Sequence, residues 1–520
     1  MKRRRFLQAG ITAVAGLTLP TRPFDLAASP IPRGWASAHN TREDLLAVTG
    51  DGDEVVIAAD AVRALARELR GRLLLRDEAG YDDARRILNP AFDRYPALIA
   101  QVTGAADVQT AVRFAGEHGG LLLAVKCGGH SFSGQSTCDR GMMIDLSPFR
   151  HVRVDASRRR AWVSGGSLLG AVDHETMAHG LVTPLGTVSH TGAGGLVTGG
   201  GFGRLSRRFG LSIDNLESVD VVTADGALVH ADSREHPDLF WGVRGGGGNF
   251  GVVTSFEFQL HPMQREVVAG RLIFPFDKGR KALELYAEYA FEAPDELQVD
   301  MAVMVPPPEQ APPGAEAGLT GFEVCYSGDP REAERALAPL RRLGTPLMDT
   351  VETRDYVEVQ RSGDIEDPRA RASYLYGGFV PEIPPDLITT IVEGLERHPH
   401  RGGGVVLIQC GGAISRVPSD ATAFAQRDAI ANMLCSVNWS HDGSDPGEHI
   451  DWIRGYWPSL ERFTHGFYVN DANPDQLGQS IQANYRRNHD RLVQVKNRYD
   501  PGNLFRLNAN IQPMVAAGAS

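Results

Sequence analysis

Apolar positions along the chain fall into short runs and helical stripes separated by polar and glycine-rich breaks. Val108, Ala111, Val112 and Ala115 recur at helical spacing within residues 105–119. The run at 121–125 reads as a buried strand that leads straight into Lys126-Cys127-Gly128-Gly129-His130-Ser131, and 142–146 reads as another short strand. Residues 151–163 read as two strands joined by the turn Arg158–Arg160, and 167–179 as a helix. Residues 216–223 and 227–231 flank Ala224-Asp225-Gly226 and predict a hairpin. Residues 252–260 alternate like a strand. Before this section, 30–89 form a polar lead-in with helix expected around 61–75. After it, 266–465 alternate strands and helices, with a Pro-rich loop at 305–313. No repeat of solenoid period occurs. The pattern predicts an α+β chain.

Composition narrows the class. The chain has 520 residues, 42 % of them hydrophobic and a net charge of −11, enough apolar material for a large core and too acidic for a broad nucleic-acid face. Five cysteines without a CxxC argue against a disulfide framework, with a Cys127–Cys138 pair left open. Lys2-Arg3-Arg4-Arg5-Phe6-Leu7, an apolar stretch to about Leu19, and Ala27-Ala28-Ser29 have the form of a signal peptide over 1–29. Arg3-Arg4-x-Phe6-Leu7 resembles the twin-arginine type, which predicts the twin-arginine export machinery as a partner and a periplasmic or secreted protein. The stretch is too short for a permanent anchor, and no other run is long enough to span a membrane.

Glycine carries the chemical signal, with much of its total of 58 clustered between 128 and 251. Gly246-x-Gly248-x-x-Gly251 has dinucleotide-fingerprint spacing, but a strand follows it where a helix must open. His174 and His179 stand five apart and do not share a helix face, so they do not form a zinc pair. His130 sits in a glycine loop just past a strand, where backbone N–H groups can approach an anion. A second glycine segment spans 192–203. Two such loops in one α+β unit point to a dinucleotide-like cofactor, with His130 in reach of it.

The motifs together resemble the berberine-bridge-enzyme-like FAD-linked oxidoreductases of the vanillyl-alcohol-oxidase (PCMH-type) superfamily. The stretches that carry the resemblance are KCGGHS at 126–131, GMMIDL at 141–146, GGLVTGGGFGRLSRRFGLSIDN at 194–215, VVTADG at 221–226, PDLFWGVRGGGGNFG at 237–251 and YDPGNLFRLNANI at 499–511. The resemblance implies an FAD-binding domain of two α+β subdomains over 90–265. A substrate domain with an antiparallel sheet flanked by helices follows at 266–469, and 470–515 return to the flavin domain. It implies FAD bonded through His130. Lys126, Cys127, Gly128, Gly129, Ser131, Gly134, Thr187, Thr191, Gly192, Gly195, Gly199, Gly200, Val253, Asn508 and Asn510 are the further cofactor-binding positions. Many members add a second bond from a cysteine, but the aligned residue here is Val188, so one covalent bond is expected.

The resemblance also implies hydride transfer from a small organic substrate to the flavin, with dioxygen as acceptor and hydrogen peroxide as product. A dehydrogenase and a non-catalytic flavin module are the alternatives. Thr191 aligns with a position that controls dioxygen access. The family's Tyr-x-Asn-Tyr stretch reads Tyr468-Val469-Asn470-Asp471, so Asp471 is either the base or the cap of a helix near Pro474. Two further family tyrosines are Phe202 and Cys410 here. Tyr468, Cys410, Gln409, Asn438 and His190 complete the catalytic candidates.

Overall fold

The computed structural model describes residues 38–307, 310–365, 370–399, 401–443, 445–477 and 481–514. The expected signal peptide lies outside them. Alternation and turn chemistry produce most of the elements predicted from the sequence. The helix Ala105–Glu117 buries Val108, Ala111, Val112 and Ala115 on one face. The hairpin Leu216–Val222 with Leu228–Asp232 turns at Ala224-Asp225-Gly226, where Asp225 Oδ1 accepts from Ala227 N–H. The helix expected over 61–75 is shorter and earlier. It spans Ala59–Glu68, and Arg72–Leu75 is a strand because Leu73 and Leu74 continue an apolar run after Gly71.

Three sheets set the architecture. A four-stranded sheet runs in the order Arg72–Leu75, Leu98–Gln101, Met142–Asp145, Leu123–Lys126, parallel except for the first pair. Its first strand comes from the expected lead-in, so that segment is part of the same sheet as the glycine-loop strand. An antiparallel five-stranded sheet contains Leu228–Asp232, Leu216–Val222, Val252–Gln259, Arg160–Ser164 and Val152–Asp155 in that order. The third is a large antiparallel sheet built on Glu266–Pro275, Leu319–Tyr326, Leu297–Val305, Gly403–Gln409, Ala431–Ser440 and Arg371–Val380.

The large sheet uses the two-residue period of a strand to separate two environments. Leu297, Val299, Met301 and Val303 pack with residues of the helices Gly279–Tyr289, Ala333–Arg341, Pro385–Glu396 and Gly447–Glu461 in one core. Asp300, Glu323, Val406, Ile408, Asn432 and Leu434 instead line a cavity against the two smaller sheets. The chain then returns. Leu492, Val495, Tyr499, Ala509 and Ile511 join the core of the five-stranded sheet, and Leu504 and Phe505 join that of the four-stranded sheet. Among the described residues no helix is long and apolar enough to cross a membrane.

Candidate active site

The strand Leu123–Lys126 ends at a glycine loop that takes up its shape because two residues lack side chains. Gly129 has φ +68°, a left-handed conformation that suits glycine. Gly128 touches the second glycine segment so closely that a Cβ on it would lie 2.4 Å from Gly192 N. This approach brings together residues sixty apart in sequence. His130 Nε2 lies 3.0 Å from His190 Nδ1, and the rings tilt at 39° with centroids 4.8 Å apart. Burial, with His190 beside it, pulls His130 down to about 3 and holds it neutral.

A cavity of about 380 Å³ runs from this loop to the large sheet. Cys127, Gly128, Gly129, His130, Ser131, Thr187, Thr191, Gly192, Gly195, Val253 and Asn508 all line it, as do Val188 and Phe202. The other expected cofactor positions do not. Lys126 turns its ammonium into the protein, onto the Ala84 carbonyl. Gly134 packs against the Phe92 ring, Gly199 against the Asn470 amide, and Gly200 beside Phe424 and Tyr468. Asn510 also lies off the cavity wall. All five cysteines are free and buried. Cys127 lines the cavity as a thiol that burial pushes up to about 11.

Among the catalytic candidates, Tyr468 and Asp471 line the cavity. The Tyr468 hydroxyl accepts from Gly201 N–H at 2.9 Å and from Asn470 Nδ2 at 2.8 Å, and burial raises its pKa. It therefore ties the glycine segment to the C-terminal turn. Asp471 does not cap the helix Pro474–Leu477. That role falls to Asn473, whose Oδ1 accepts from Gln476 N–H at 2.9 Å. Asp471 Oδ2 instead accepts from Asn432 Nδ2 at 3.0 Å, and burial pushes the carboxyl up to about 7 against that bond.

Gln409 and Cys410 are corrections to the expected set. Ile408 faces the cavity, so its neighbour Gln409 points to the opposite side, where it accepts from Val299 N–H and donates to the Ala290 carbonyl. Cys410 is sealed in the core with Ile414 and Phe424. Asn438 also lies off the cavity, and His190 reaches it only through His130.

The large-sheet side of the cavity holds polar residues that no motif announced. Asp300 Oδ1 accepts from Gln298 Nε2 at 2.8 Å and Gln409 N–H at 3.0 Å, and burial pushes its carboxyl up to about 6. Glu323, opposite Asp300 in the sheet register, accepts from Arg204 Nη2 at 2.7 Å and Arg271 Nε at 3.0 Å. The two guanidiniums overcome the burial penalty and hold it down at about 2. These residues come from separate strands and one loop, so only tertiary register assembles them. Among the described residues no cluster of three or more His, Cys, Asp or Glu is placed to hold a metal.

Comparison with known proteins decides the family. The model described as "FAD binding domain" matches residues 96–232, and "Berberine and berberine like" matches 467–512. (R)-6-hydroxynicotine oxidase from Paenarthrobacter nicotinovorans is 31 % identical over 463 residues, 86 % of this chain and 97 % of that protein. The chain belongs to the berberine-bridge-enzyme-like family of FAD-linked oxidoreductases. Xylooligosaccharide oxidase from Thermothelomyces thermophilus is 29 % identical over 80 % of this chain and 87 % of that protein. The crystal structure of 6-hydroxy-D-nicotine oxidase from Arthrobacter nicotinovorans superposes with a TM-score of 0.75 at 28 % identity, covering 86 % of this chain and 98 % of that one.

The cavity of this FAD-linked oxidoreductase fits its cofactor. A Cβ on Gly195 would meet no atom within 4 Å, and on Gly247 or Gly248 only the edge of an asparagine amide at 3.9 Å, so bare backbone faces the open space. Ser136 Oγ and Asn508 Oδ1 on the cavity wall are buried without a hydrogen-bond partner among the described residues. Backbone N–H groups and unpaired polar atoms of this kind suit a sugar–phosphate ligand.

Proposed function

We propose that the enzyme oxidises a small alcohol, sugar or amine, with Asp471 taking the substrate's O–H or N–H proton. FAD, when bound, supplies the acceptor for the hydride leaving the adjacent carbon. The observation that carries this reading is the placement of Asp471. Its carboxyl lines the cavity shared with His130, Asn432 holds one of its oxygens, and its affinity for a proton is tuned to about 7. A base is most effective when its pKa lies near the working pH. Phe202, Leu375, Ile408 and Leu434 line the same cavity with apolar side chains, and Asp300 adds a second carboxyl to its wall.

His130 carries the FAD as the one covalent attachment, since Val188 stands where a second would arise. With FAD bound, dioxygen would serve as the electron acceptor and hydrogen peroxide would be the product, a reading supported by relatives named as oxidases. The N-terminal twin-arginine pattern supports export of the folded protein and removal of residues 1–29, which places the activity in the periplasm or outside the cell.

A denaturing gel viewed under ultraviolet light after acid treatment, with His130→Ala alongside, tests the attachment. A fluorescent band in the wild type alone is expected, and a dark wild-type band overturns it. An oxygen electrode with a panel of alcohols, sugars and amines tests the chemistry. Oxygen uptake with peroxide release is expected. Reduction of an artificial dye without oxygen uptake would make the enzyme a dehydrogenase, and inertness of the flavin-loaded protein would make it a non-catalytic flavin module.

A further inference from the structure

We infer that Asp300 determines specificity, and that the substrate is an amino alcohol whose ammonium sits on Asp300 while its carbinol meets Asp471 across an apolar middle. This rests on the reading that Asp471 takes the substrate's proton. Strand register sets the frame. Glu323 pairs with Asp300, and Ile408 pairs with Asn432. Met301 pairs with Leu407, which puts Asp300 and Ile408 next in line. Cross-strand partners share a face of the sheet, and Glu323, Asp300, Ile408 and Asn432 form one row along the cavity wall. Asp471 is bonded to Asn432 at the end of that row. Asp300 and Asn432 lie two strands apart, about 10 Å, with the apolar Ile408 between them.

The polar atoms left open along the row are acceptors. Both hydrogen bonds to Asp300, from Gln298 Nε2 and Gln409 N–H, fall on Oδ1, and among the described residues Oδ2 receives none. Asn432, with no exposed surface, gives its side-chain N–H to Asp471 and leaves its own Oδ1 without a partner among the described residues. Glu323 is closed, with one oxygen on Arg204 and the other on Arg271. Arg204 is the only Arg or Lys among the described residues lining the cavity, and its guanidinium is committed to Glu323, the Thr187 carbonyl and Gln360 Oε1.

Open acceptors beside a committed cation call for a ligand that brings donors and positive charge, and they turn away a carboxylate. Burial pushes the Asp300 carboxyl up to about 6, so at neutral pH it is a buried anion that gains from a counter-charge. A neutral sugar would leave that charge unpaired and lay its hydroxyls over Ile408. A second ammonium at the Asp471 end would hold its lone pair in an N–H bond and block loss of hydride from the adjacent carbon. A carbinol there gives its O–H proton to Asp471 and its C–H hydride to bound FAD. The product is a carbonyl, and the ammonium on Asp300 is unchanged.

The test uses three probes of one shape: 4-(aminomethyl)benzyl alcohol, its neutral isostere 4-ethylbenzyl alcohol, and 4-(hydroxymethyl)benzoate. Their dissociation constants are measured by calorimetry on dithionite-reduced holoenzyme, which cannot turn them over, for wild type and Asp300→Asn. The wild type is expected to bind the ammonium probe about tenfold or more tightly than the neutral one, the scale of a charge-assisted hydrogen bond, and the benzoate most weakly. Asp300→Asn is expected to bring the ammonium probe down to the affinity of the neutral one, which itself stays unchanged. Equal affinities in the wild type overturn the inference, as does a preference that survives in Asp300→Asn. Should that variant fail to fold, the wild-type ranking decides alone. Turnover of the ammonium probe by Asp471→Asn at the wild-type rate would remove Asp471 as the base and leave the charge preference standing. Loss of the preference with turnover still dependent on Asp471 would do the reverse.

Discussion

Asn432 reaches from the large sheet to the C-terminal turn and donates its side-chain N–H to Asp471 Oδ2 at 3.0 Å. The bond favours the ionised carboxylate, while burial favours the protonated form and wins, leaving the group at about 7. Only the carboxylate can accept the substrate proton, so kcat/KM is expected to climb as pH rises through about 7 and to level off above it. Asp471→Asn should lower kcat by about 10²–10⁴-fold, the usual weight of a general base, with flavin content unchanged. Asn432→Leu removes the bond that favours ionisation and should move the rising limb to higher pH. A limb that stays in place would show that another group sets it.

Glu323 is expected to matter for stability before chemistry. Arg204, 5 % exposed, and Arg271 share its carboxylate. Glu323→Gln takes the negative charge from two buried or half-buried guanidiniums and should cost about 3–5 kcal/mol, as removing one partner of a buried pair does. Denaturant unfolding of the two proteins checks this. The pH dependence follows from the sign of the shift. The folded value near 2 lies below the ordinary 4.5, so the contribution is complete above about 4.5 and lost as pH falls through about 2. The difference between wild type and Glu323→Gln should therefore shrink on acidification.

Asp173 predicts the opposite trend. It is 1 % exposed, accepts from Gln360 Nε2 at 3.2 Å, and is pushed up to about 7 by burial. A folded value above the ordinary 3.8 means that the protonated form stabilises the fold fully at low pH and loses that contribution as pH rises through about 7. Asp173→Asn keeps the acceptor for Gln360 without the charge. Its melting temperature relative to wild type should rise from pH 4 to pH 8 and then level off. A difference independent of pH would refute the titration.

The flavin half was legible because its signals are local. A strand running into Gly128-Gly129-His130 and a second glycine segment at 192–203 state the close backbone approach directly, and the structure brings Gly128 to Gly192. The strand after Gly251 likewise shows why the dinucleotide-type spacing there opens no helix. The large-sheet half of the cavity was not legible. Asp300 and Glu323 become neighbours only through strand register, and Arg204 joins them from the loop that follows the glycine segment. Gln409 was misplaced by one residue of strand period, since Ile408 faces the cavity in its stead. The sequence around Asp471 allowed a cap or a base, and Asn473, two residues on, takes the cap.

The C-terminal return is pinned by a buried cation, and that pin is expected to govern flavin retention. Lys496 Nζ, with no exposed surface, donates to the Asn249 carbonyl at 2.9 Å, the Phe505 carbonyl at 2.9 Å and Asp500 Oδ2 at 2.7 Å. Asp500 in turn accepts from Leu504 N–H at 2.7 Å and Phe505 N–H at 2.9 Å. Asn249 completes the clasp by donating to the Ala509 carbonyl and accepting from Ile511 N–H, both at 3.0 Å. Gly247, Gly248, Phe505, Asn508 and Ala509, all on the cavity wall, hang from these bonds. Lys496→Met fills the same space but leaves Asp500 without its counter-charge, so a loss of about 3–5 kcal/mol is expected. Flavin per protein after gel filtration should fall with it if attachment has not yet occurred, which His130→Ala as background makes observable. A double variant that unfolds more easily yet keeps its full flavin content would show that the clasp serves the fold alone.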